Sequence, residues 1–409
     1  MDSRTPPSQS PPRREGRGTP QVDGAELQVS GVPAGAVAVP PPGRLAGLSE
    51  QLGLDWLGAG VRTFLIPVKT TSVWMMLGGL LGVAIALEFL TGIMLLFPYK
   101  PDALGAYQST SDMMANPFWS IVLGVHYFLM YLIFGLVMLH FMRVFISGAY
   151  RGVKKAQWQL GVALSVLVFG ISATGETLHW DERGMAIPWH VGESFEALRL
   201  QHVFDYVHRN LITNLDFATS KILQMYVLHI VVLPVLILVA IALHYHVVRR
   251  NGISVPFWQT ARRGATSVRD AWARWYYLVF GVVFIISVAV QRTPGPAAQG
   301  LPSSPFPLSG DPGGLGTVPT IPISWTHGLN RFVTIAFDWR PDIWGTLLGS
   351  VIMIGALVLV PVVDRMRGEP RSWREAFDLR RRGLAFGLIA VFWLVMIIGL
   401  VTDVASPIG

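Results

Sequence analysis

The chain contains no cysteine. This absence excludes disulfide bonds, cysteine-held iron–sulfur clusters and thioether attachment of a prosthetic group within the chain. It leaves the redox compartment undecided. Any metal centre in this protein therefore needs ligands other than thiolates.

Charged residues are also scarce. They make up 14% of the 409 residues, against 52% hydrophobic residues, and the mean hydropathy is +0.47. Such a composition excludes an ordinary soluble protein. Residues 1–45 lack an apolar segment, so we expect no cleavable signal peptide. They hold nine prolines, which predicts a disordered extension.

Long apolar runs are what the sequence does contain. Crossing a bilayer takes about 20 apolar residues, and seven runs come close to or exceed that length. They lie near residues 73–97, 118–146, 158–178, 222–248, 275–291, 344–363 and 384–402. The fifth is short for a span. The sequence therefore predicts an all-α integral membrane protein with about seven transmembrane helices.

The loops between these runs differ in basic residues. Sixteen Lys and Arg residues lie in the loops on one side and eight on the other. The positive-inside rule places the richer side, together with the N-terminus, in the cytoplasm. We expect a multi-pass protein of the bacterial cytoplasmic membrane. The net charge of +7 then mostly reflects the membrane topology and does not indicate nucleic-acid binding.

Two histidine pairs lie deep inside apolar runs. The second run holds His126 and His140, and the fourth holds His229 and His244. Spacings of 14 and 15 bring both members of a pair near one helix face, ~21 Å apart along the axis. A lone buried histidine is explained by a hydrogen bond to a neighbouring helix. Four at matched depths favour two haems held by bis-histidine ligation, since ionisable residues in spans are costly and usually functional.

The predicted direction of the two spans determines which histidines lie at the same depth in the membrane. Both runs cross the membrane in the same direction, so His126 lies level with His229 near the outer side. His140 then lies level with His244 near the cytoplasmic side. Each pair would provide the metal ligands of one haem, with ~20 Å between the irons.

Glycines in the first and third runs repeat the histidine spacing. Gly78 and Gly92 are 14 residues apart, as are Gly161 and Gly175. A residue without a side chain lets a flat macrocycle approach the backbone closely. Ordinary small-residue packing of membrane helices is the alternative. Two pairs with the histidine period favour haem contact.

Two charged residues lie inside the runs. Arg143 follows His140 by one helical turn, where it would either pair with a haem propionate or snorkel at the end of the span. Glu88 lies deep in the first run. It is either a proton-relay or neutral acid beside the outer haem, or a protonated side chain bonded to a neighbouring helix.

The chain resembles cytochrome b of the quinol–cytochrome c (bc) and plastoquinol–plastocyanin (bf) reductases. The resemblance covers about residues 50–255. It rests on the motifs LGGLLGVAIALEFLTG, HYFLMYLIFGLVMLHFMRVFISGAYR, ETLHWDERG and LHIVVLPVLILVAIALHYHVVRRNGIS. The 15-residue histidine step and the RRNGIS ending are closer to the bf type. Residues 256–409 more weakly resemble the separate three-helix bf subunit, through WRPDIWGTLLG and PVVDR.

The resemblance implies a domain organisation and a function. Residues 1–45 would be an extension, 46–255 a four-helix dihaem bundle and 256–409 a fused three-helix domain. Quinol would be oxidised near the outer haem. One electron would pass to a Rieske iron–sulfur protein and then to a cytochrome c-type subunit or carrier. The other would pass through two non-covalent b haems to a quinone near the cytoplasmic face. This electron transfer would be coupled to proton translocation. The family also implies a homodimer.

The chain departs from the family pattern in the outer quinol region. A Pro-Glu-Trp-Tyr motif is usual before the sixth span, and TIPISWTHGLNRF places Ser324 where the Glu belongs. A serine cannot take up the quinol proton. His327 or Glu88 could serve instead, although His327 is equally explained as a solvated loop histidine. His179 replaces a usual proline and is either a proton carrier or an interfacial loop residue.

Two alternatives remain at this point. The chain could be a dihaem anchor that passes electrons between quinone and another partner, without outer quinol oxidation. It could also be a transporter or structural bundle whose histidines bind no haem. A reduced-minus-oxidised spectrum separates the second alternative from both haem hypotheses.

Overall fold

The computed structural model describes the greater part of the helical core. The described residues are 65–69, 73–180, 184, 198–200, 202, 217–259, 262–267, 329, 332–333, 335–336 and 344–405. The predicted extension at 1–45, the predicted fifth span at 275–291 and His327 lie outside them.

Helices dominate the described residues. In chain order they are α1 Val73–Leu95, α2 Gly105–Ala115, α3 Pro117–Ile146, α4 Lys155–Thr177, α5 Phe217–Val227, α6 Leu233–Asn251, α7 Trp344–Val363, α8 Trp373–Ala376 and α9 Leu379–Ala405. A single 3₁₀ turn, Gly152–Lys154, precedes α4. A π-helical turn, Leu228–Val232, joins α5 to α6.

Six of the seven predicted spans fall on described residues, and each is helical. Five are long and apolar enough to cross a membrane: Trp74–Leu95, Pro117–Ile146, Gly152–Thr177, Lys221–Val248 and Leu379–Gly399. The stretch Leu347–Val363 is a shorter apolar helix. The prediction of a helical membrane fold is confirmed. Apolar runs become helices here because lipid offers the backbone no hydrogen-bond partners outside the helix itself.

Local chemistry sets some helix ends. The side chain of Asn116 accepts hydrogen bonds from the backbone N–H groups of Phe118 (3.0 Å) and Trp119 (3.2 Å). Pro117 occupies the first turn of α3, where its missing N–H costs nothing. These residues make α3 begin at a defined point, and so fix the height of His126 in the bundle.

The four predicted haem-domain spans form two helix pairs that pack together. The helix α1 lies along α3, and α4 lies along α6. Between the pairs is a core that includes Ala84, Leu129, Ile133 and Val168. This arrangement turns the histidine-bearing helices α3 and α5–α6 toward each other.

The last two described spans pack on the same bundle. The helix α7 lies against α9 and α4. The indole N–H of Trp158 donates to the Leu357 carbonyl at 2.7 Å, and the amide of Gln159 donates to the Val358 carbonyl at 2.9 Å. One apolar core joins α3, α4, α7 and α9. The boundary between the predicted domains 46–255 and 256–409 stays a prediction.

A two-stranded antiparallel sheet is an element that the sequence did not predict. It pairs β1, Leu65–Lys69, with β2, Arg262–Ser267, and has a register shift between Ile66 and Val68. It brings the segment before α1 against the segment after α6.

Candidate functional site

His126 of α3 and His229 of the α5–α6 span face each other. The ring centres of His126 and His229 are 6.2 Å apart, and the ring planes make an angle of 82°. With metal–nitrogen bonds of about 2 Å and ring centres set back by roughly 1 Å more, two imidazoles on opposite sides of one metal have centres about 6 Å apart. The spacing of this pair fits one metal ion between the rings.

Hydrogen bonds orient both rings of this pair in the same way. Nδ1 of His126 lies 3.1 Å from the Glu88 carbonyl oxygen, and Nδ1 of His229 lies 2.9 Å from the Ile171 carbonyl oxygen. An Nδ1–H that donates to a carbonyl leaves the Nε2 lone pair available as a ligand. The rings are thus held in the tautomer that metal binding requires.

Two threonines complete these contacts. Oγ1 of Thr91 lies 3.0 Å from Nδ1 of His126, and Oγ1 of Thr174 lies 3.3 Å from Nδ1 of His229. Each threonine directly precedes one of the predicted glycines. These threonines were not among the predicted site residues, although a Thr-Gly dipeptide recurs in α1 and α4.

Each predicted glycine lies opposite one histidine. A Cβ atom placed on Gly92 would lie 3.1 Å from Cε1 of His126, and one on Gly175 only 2.6 Å from Cε1 of His229. The glycines therefore make room for the imidazole rings, a contact that the sequence analysis had not considered. This contact is compatible with a macrocycle on the opposite side of each imidazole ring.

The second pair repeats the pattern with more space. A Cβ atom on Gly78 would lie 3.5 Å from Cε1 of His140, and one on Gly161 3.8 Å from Cε1 of His244. Both rings keep a buried Nδ1 without a hydrogen-bond partner among the described residues. The second pair thus shares the facing glycines of the first pair, but not the hydrogen bonds that hold its rings.

A π-helical turn gives the fourth span its register. His229 and His244 are 15 residues apart, whereas the two histidines of α3 are 14 apart. In a regular helix the extra residue would rotate His244 by about 100° around the helix axis. The turn Leu228–Val232 takes up one extra residue, as π-bulges do. Pro234 accounts for it, because its ring cannot fit a regular helix against the carbonyl of Ile230. The turn thus restores the facing of His229 and His244.

Arg143 is buried and does not snorkel to solvent. Only 8% of its surface is exposed. Its Nη2 donates to the Ser254 carbonyl at 2.5 Å and lies 3.4 Å from the sulfur of Met75. Its buried Nε has no partner among the described residues. An anionic group such as a propionate would satisfy it.

Glu88 lies beside the first histidine pair. Its Oε1 is 3.6 Å from Nδ1 of His126, and its buried Oε2 has no partner among the described residues. The carboxyl therefore lies beside the proposed ligand His126. The two alternatives given for Glu88, a proton-relay or neutral acid beside the haem and a protonated side chain bonded to a neighbouring helix, both stay predictions.

The first pair opens on a largely apolar cavity. Its walls include both histidines, Gly92 and Gly175, and also Tyr127 and His179. Among the described residues no group of three or more His, Cys, Asp or Glu side chains forms a metal site made by protein alone. Two histidine ligands, flanking glycines and an apolar cleft instead fit a flat metal macrocycle, whose own nitrogens supply the remaining ligands.

A protein family and several individual proteins are similar to this chain in sequence. Residues 129–300 match the family described as cytochrome b (N-terminal)/b6/petB. Cytochrome b6 of Prochlorococcus marinus (strain MIT 9303) is 28% identical over 209 residues, which cover 51% of this chain and 94% of the relative. Cytochrome b6 of Parasynechococcus marenigrum (strain WH8102) is 27% identical over the same length.

A solved structure extends the similarity in fold. The chain is similar to a chain of a hyperthermophilic respiratory Complex III, with a TM-score of 0.62 and 14% sequence identity. The match covers 88% of this chain and 99% of that one. The likeness in fold therefore reaches beyond the part that resembles cytochrome b6 in sequence.

Proposed function

We propose that this chain, which is similar in sequence to the cytochrome b (N-terminal)/b6/petB family, is the dihaem subunit of a membrane quinol:cytochrome c oxidoreductase. The observation that carries the proposal is the facing of His126 and His229, with ring centres 6.2 Å apart and both Nδ1 atoms near helix carbonyls. The glycines that lie opposite His140 and His244 support a second haem.

The haems, when bound, would supply two one-electron carriers. His126 with His229 would hold one haem, and His140 with His244 the other. Gly78, Gly92, Gly161 and Gly175 let the imidazole rings of these histidines lie close to α1 and α4. The buried Nε of Arg143 would pair with a propionate at the second haem.

The proposed partners follow from this role. A quinol gives up two electrons, so a second one-electron acceptor is needed besides the first haem. We assign that acceptor to a Rieske iron–sulfur protein, which would pass its electron to a cytochrome c-type subunit or carrier. The complex would be a homodimer in the bacterial cytoplasmic membrane, with its arginine-rich loops inside.

The test is to purify the chain from its native membranes. We expect two b-type haems per chain in a reduced-minus-oxidised spectrum, a copurifying Rieske protein, and inhibitor-sensitive reduction of cytochrome c by quinol. The variant His229→Leu is expected to keep one haem, and His246→Leu, on the same helix, to keep both. Absence of b-type absorption would contradict every part of the proposal.

One alternative function has a specific observation in its favour. Ser324 stands where the family usually has the Glu of its outer quinol motif. A dihaem anchor without outer quinol oxidation would show both haems and exchange electrons with quinone. It would lack the Rieske protein and quinol–cytochrome c activity.

A further inference from the structure

The cavity beside the first histidine pair is bordered by a turn that follows α4. This turn, Leu178–Trp180, places His179 in the cavity wall together with His126 and His229. The ring centre of His179 is 6.1 Å from that of Tyr127, with the rings tilted by 42°. The imidazole thus lies among the residues that would surround a ligand of this cavity.

Several contacts fix the turn. The hydroxyl of Tyr99 donates to the Leu178 carbonyl at 2.9 Å, and burial raises the pKa of Tyr99 well above its ordinary value, so that it remains a donor. The backbone N–H of Trp180 donates to the Thr177 carbonyl at 3.0 Å. The backbone on both sides of His179 is therefore held in place.

Trp180 has a backbone conformation that bulky residues rarely adopt. Its φ is +55°, and only 1% of its surface is exposed. A non-glycine residue in the left-handed region costs of order 1 kcal/mol or more and persists where the surroundings over-determine it, often at functional sites. Here the strained residue directly follows His179.

The other titratable groups of the cavity are less suited to take up a proton. They are Glu88 from α1, Tyr99 before α2, His126 and Tyr127 from α3, Glu176 from α4, and Tyr226 and His229 from the fourth span. Phenols are too weakly basic to deprotonate a quinol at neutral pH. His126 and His229 are assigned to haem binding. Glu88 lies against His126, and Glu176 is only 5% exposed.

We propose that His179 is the proton acceptor for quinol oxidation in this cavity, an inference that rests on the proposed function. The quinol O–H bond breaks, and its proton passes to the free imidazole nitrogen of His179. The two electrons leave one at a time, to the haem of the first pair and to the iron–sulfur protein. The second proton leaves to water at the same end of the bundle. An imidazole suits this task because one of its two ring nitrogens carries a lone pair that accepts a proton.

The experiment uses the whole complex in native membranes and two probes, a short-chain ubiquinol and a short-chain menaquinol. The parent is expected to reduce its b haem with one of them. His179→Gln is expected to slow this reaction by about 100-fold or more, because an amide cannot accept the proton. The dithionite-reduced spectrum should stay unchanged.

A second variant distinguishes proton uptake from a structural role. His179→Glu restores a group that can accept a proton, so the rate should recover at least about tenfold over the Gln variant. The matched control is His202→Gln, which changes an exposed histidine of the following loop and should leave the rate as in the parent.

The outcomes separate the two proposals. A Gln variant with the parental rate would overturn the role of His179 and leave the proposed function standing. Loss of the dithionite spectrum in that variant would also overturn it, since His179 would then support haem binding. A parent that shows haem but no reduction by either quinol would overturn the proposed quinol oxidation, and the inference with it.

Discussion

At the scale of single residues, the space beside each histidine ring decides which glycine tolerates a side chain. At Gly175 a Cβ atom would lie 2.6 Å from Cε1 of His229, closer than such atoms approach one another. At Gly161 the distance to Cε1 of His244 would be 3.8 Å, an ordinary contact. Both glycines lie in α4, where alanine forms helix better than glycine does. Any loss of haem therefore comes from the ring contact and not from the helix.

We expect Gly175→Ala to displace His229 and to lower the haem content from two per chain toward one. Gly161→Ala is expected to retain both haems and serves as the matched control. The haem-to-protein ratio, measured as the pyridine haemochrome, checks this. Equal haem contents in the two variants would contradict the role given to the contact.

The threonines beside the first pair support a second prediction at this scale. Thr91 and Thr174 each contact the Nδ1 of a proposed ligand, and such outer contacts typically change metal affinity 10–100-fold. Thr91→Val is expected to release haem to apomyoglobin about tenfold faster than the parent. Thr177→Val is the control, because the hydroxyl of Thr177 donates to the Ala173 carbonyl within α4. Equal release rates in both variants would refute the assignment.

At the scale of helices, the π turn in the fourth span decides whether His229 and His244 face the same way. Deleting Val231 and replacing Pro234 by Ala should give a regular helix with a 14-residue histidine step, as in α3. We expect this variant to keep both haems. Deleting Val239, which leaves Pro234 and the π turn in place, should rotate His244 by about 100° and remove the second haem.

The two deletions are well matched, because Val231 and Val239 are both exposed on the same span, at 50% and 52% of their surface. Optical spectra and redox titration of the two variants distinguish them. Identical haem contents after the two deletions would show that the π turn does not set the register.

What the sequence could predict follows from the physics of these helices. Apolar length predicts spans because lipid leaves the backbone no other partners, and helical periodicity places His126 and His229 at one level. Pro234 predicts a disturbance but not its form, since a proline in a span is accommodated by a kink, a break or a π turn. The contacts of Thr91 and Thr174 depend on how α1 meets α3 and α4 meets α6, which periodicity within one helix does not specify.

At the scale of the whole molecule, buried charges join the last spans to the dihaem bundle. One oxygen of Asp364, just after α7, contacts three groups: the guanidinium of Arg151 at 2.5 Å, that of Arg382 at 3.2 Å, and the hydroxyl of Tyr150. Arg382 is fully buried and also donates to the Phe145 carbonyl at 2.6 Å. The sequence analysis assigned these arginines to membrane topology and did not predict this network.

The network predicts a large loss of stability on removing its one carboxylate. Asp364→Asn leaves the charge of Arg382 buried and unpaired, which typically costs about 3 kcal/mol or more. The control is Asp378→Asn, whose partner Arg381 is 65% exposed at 3.6 Å; such pairs contribute less than about 1 kcal/mol. Asparagine also retains the ability to cap the start of α9. Thermal unfolding in detergent at neutral pH should therefore show a clear drop for the first variant only.

The pH dependence of the difference in stability between the parent and Asp364→Asn is a sharper test of the role of this carboxylate. Burial raises the pKa of Asp364, but hydrogen bonds from Tyr150 and Arg151 and the charge of Arg151 outweigh it, so that the pKa is lowered below its ordinary 3.8. A carboxyl with a lowered folded pKa stabilises the protein above its ordinary pKa, and this stabilisation is lost as the pH falls through the lower folded value. The gap in unfolding temperature between parent and Asp364→Asn should thus be constant from about pH 5 to 8 and narrow below about pH 4. A gap that narrows already near neutral pH would mean that a group other than this carboxylate holds the last spans to the bundle.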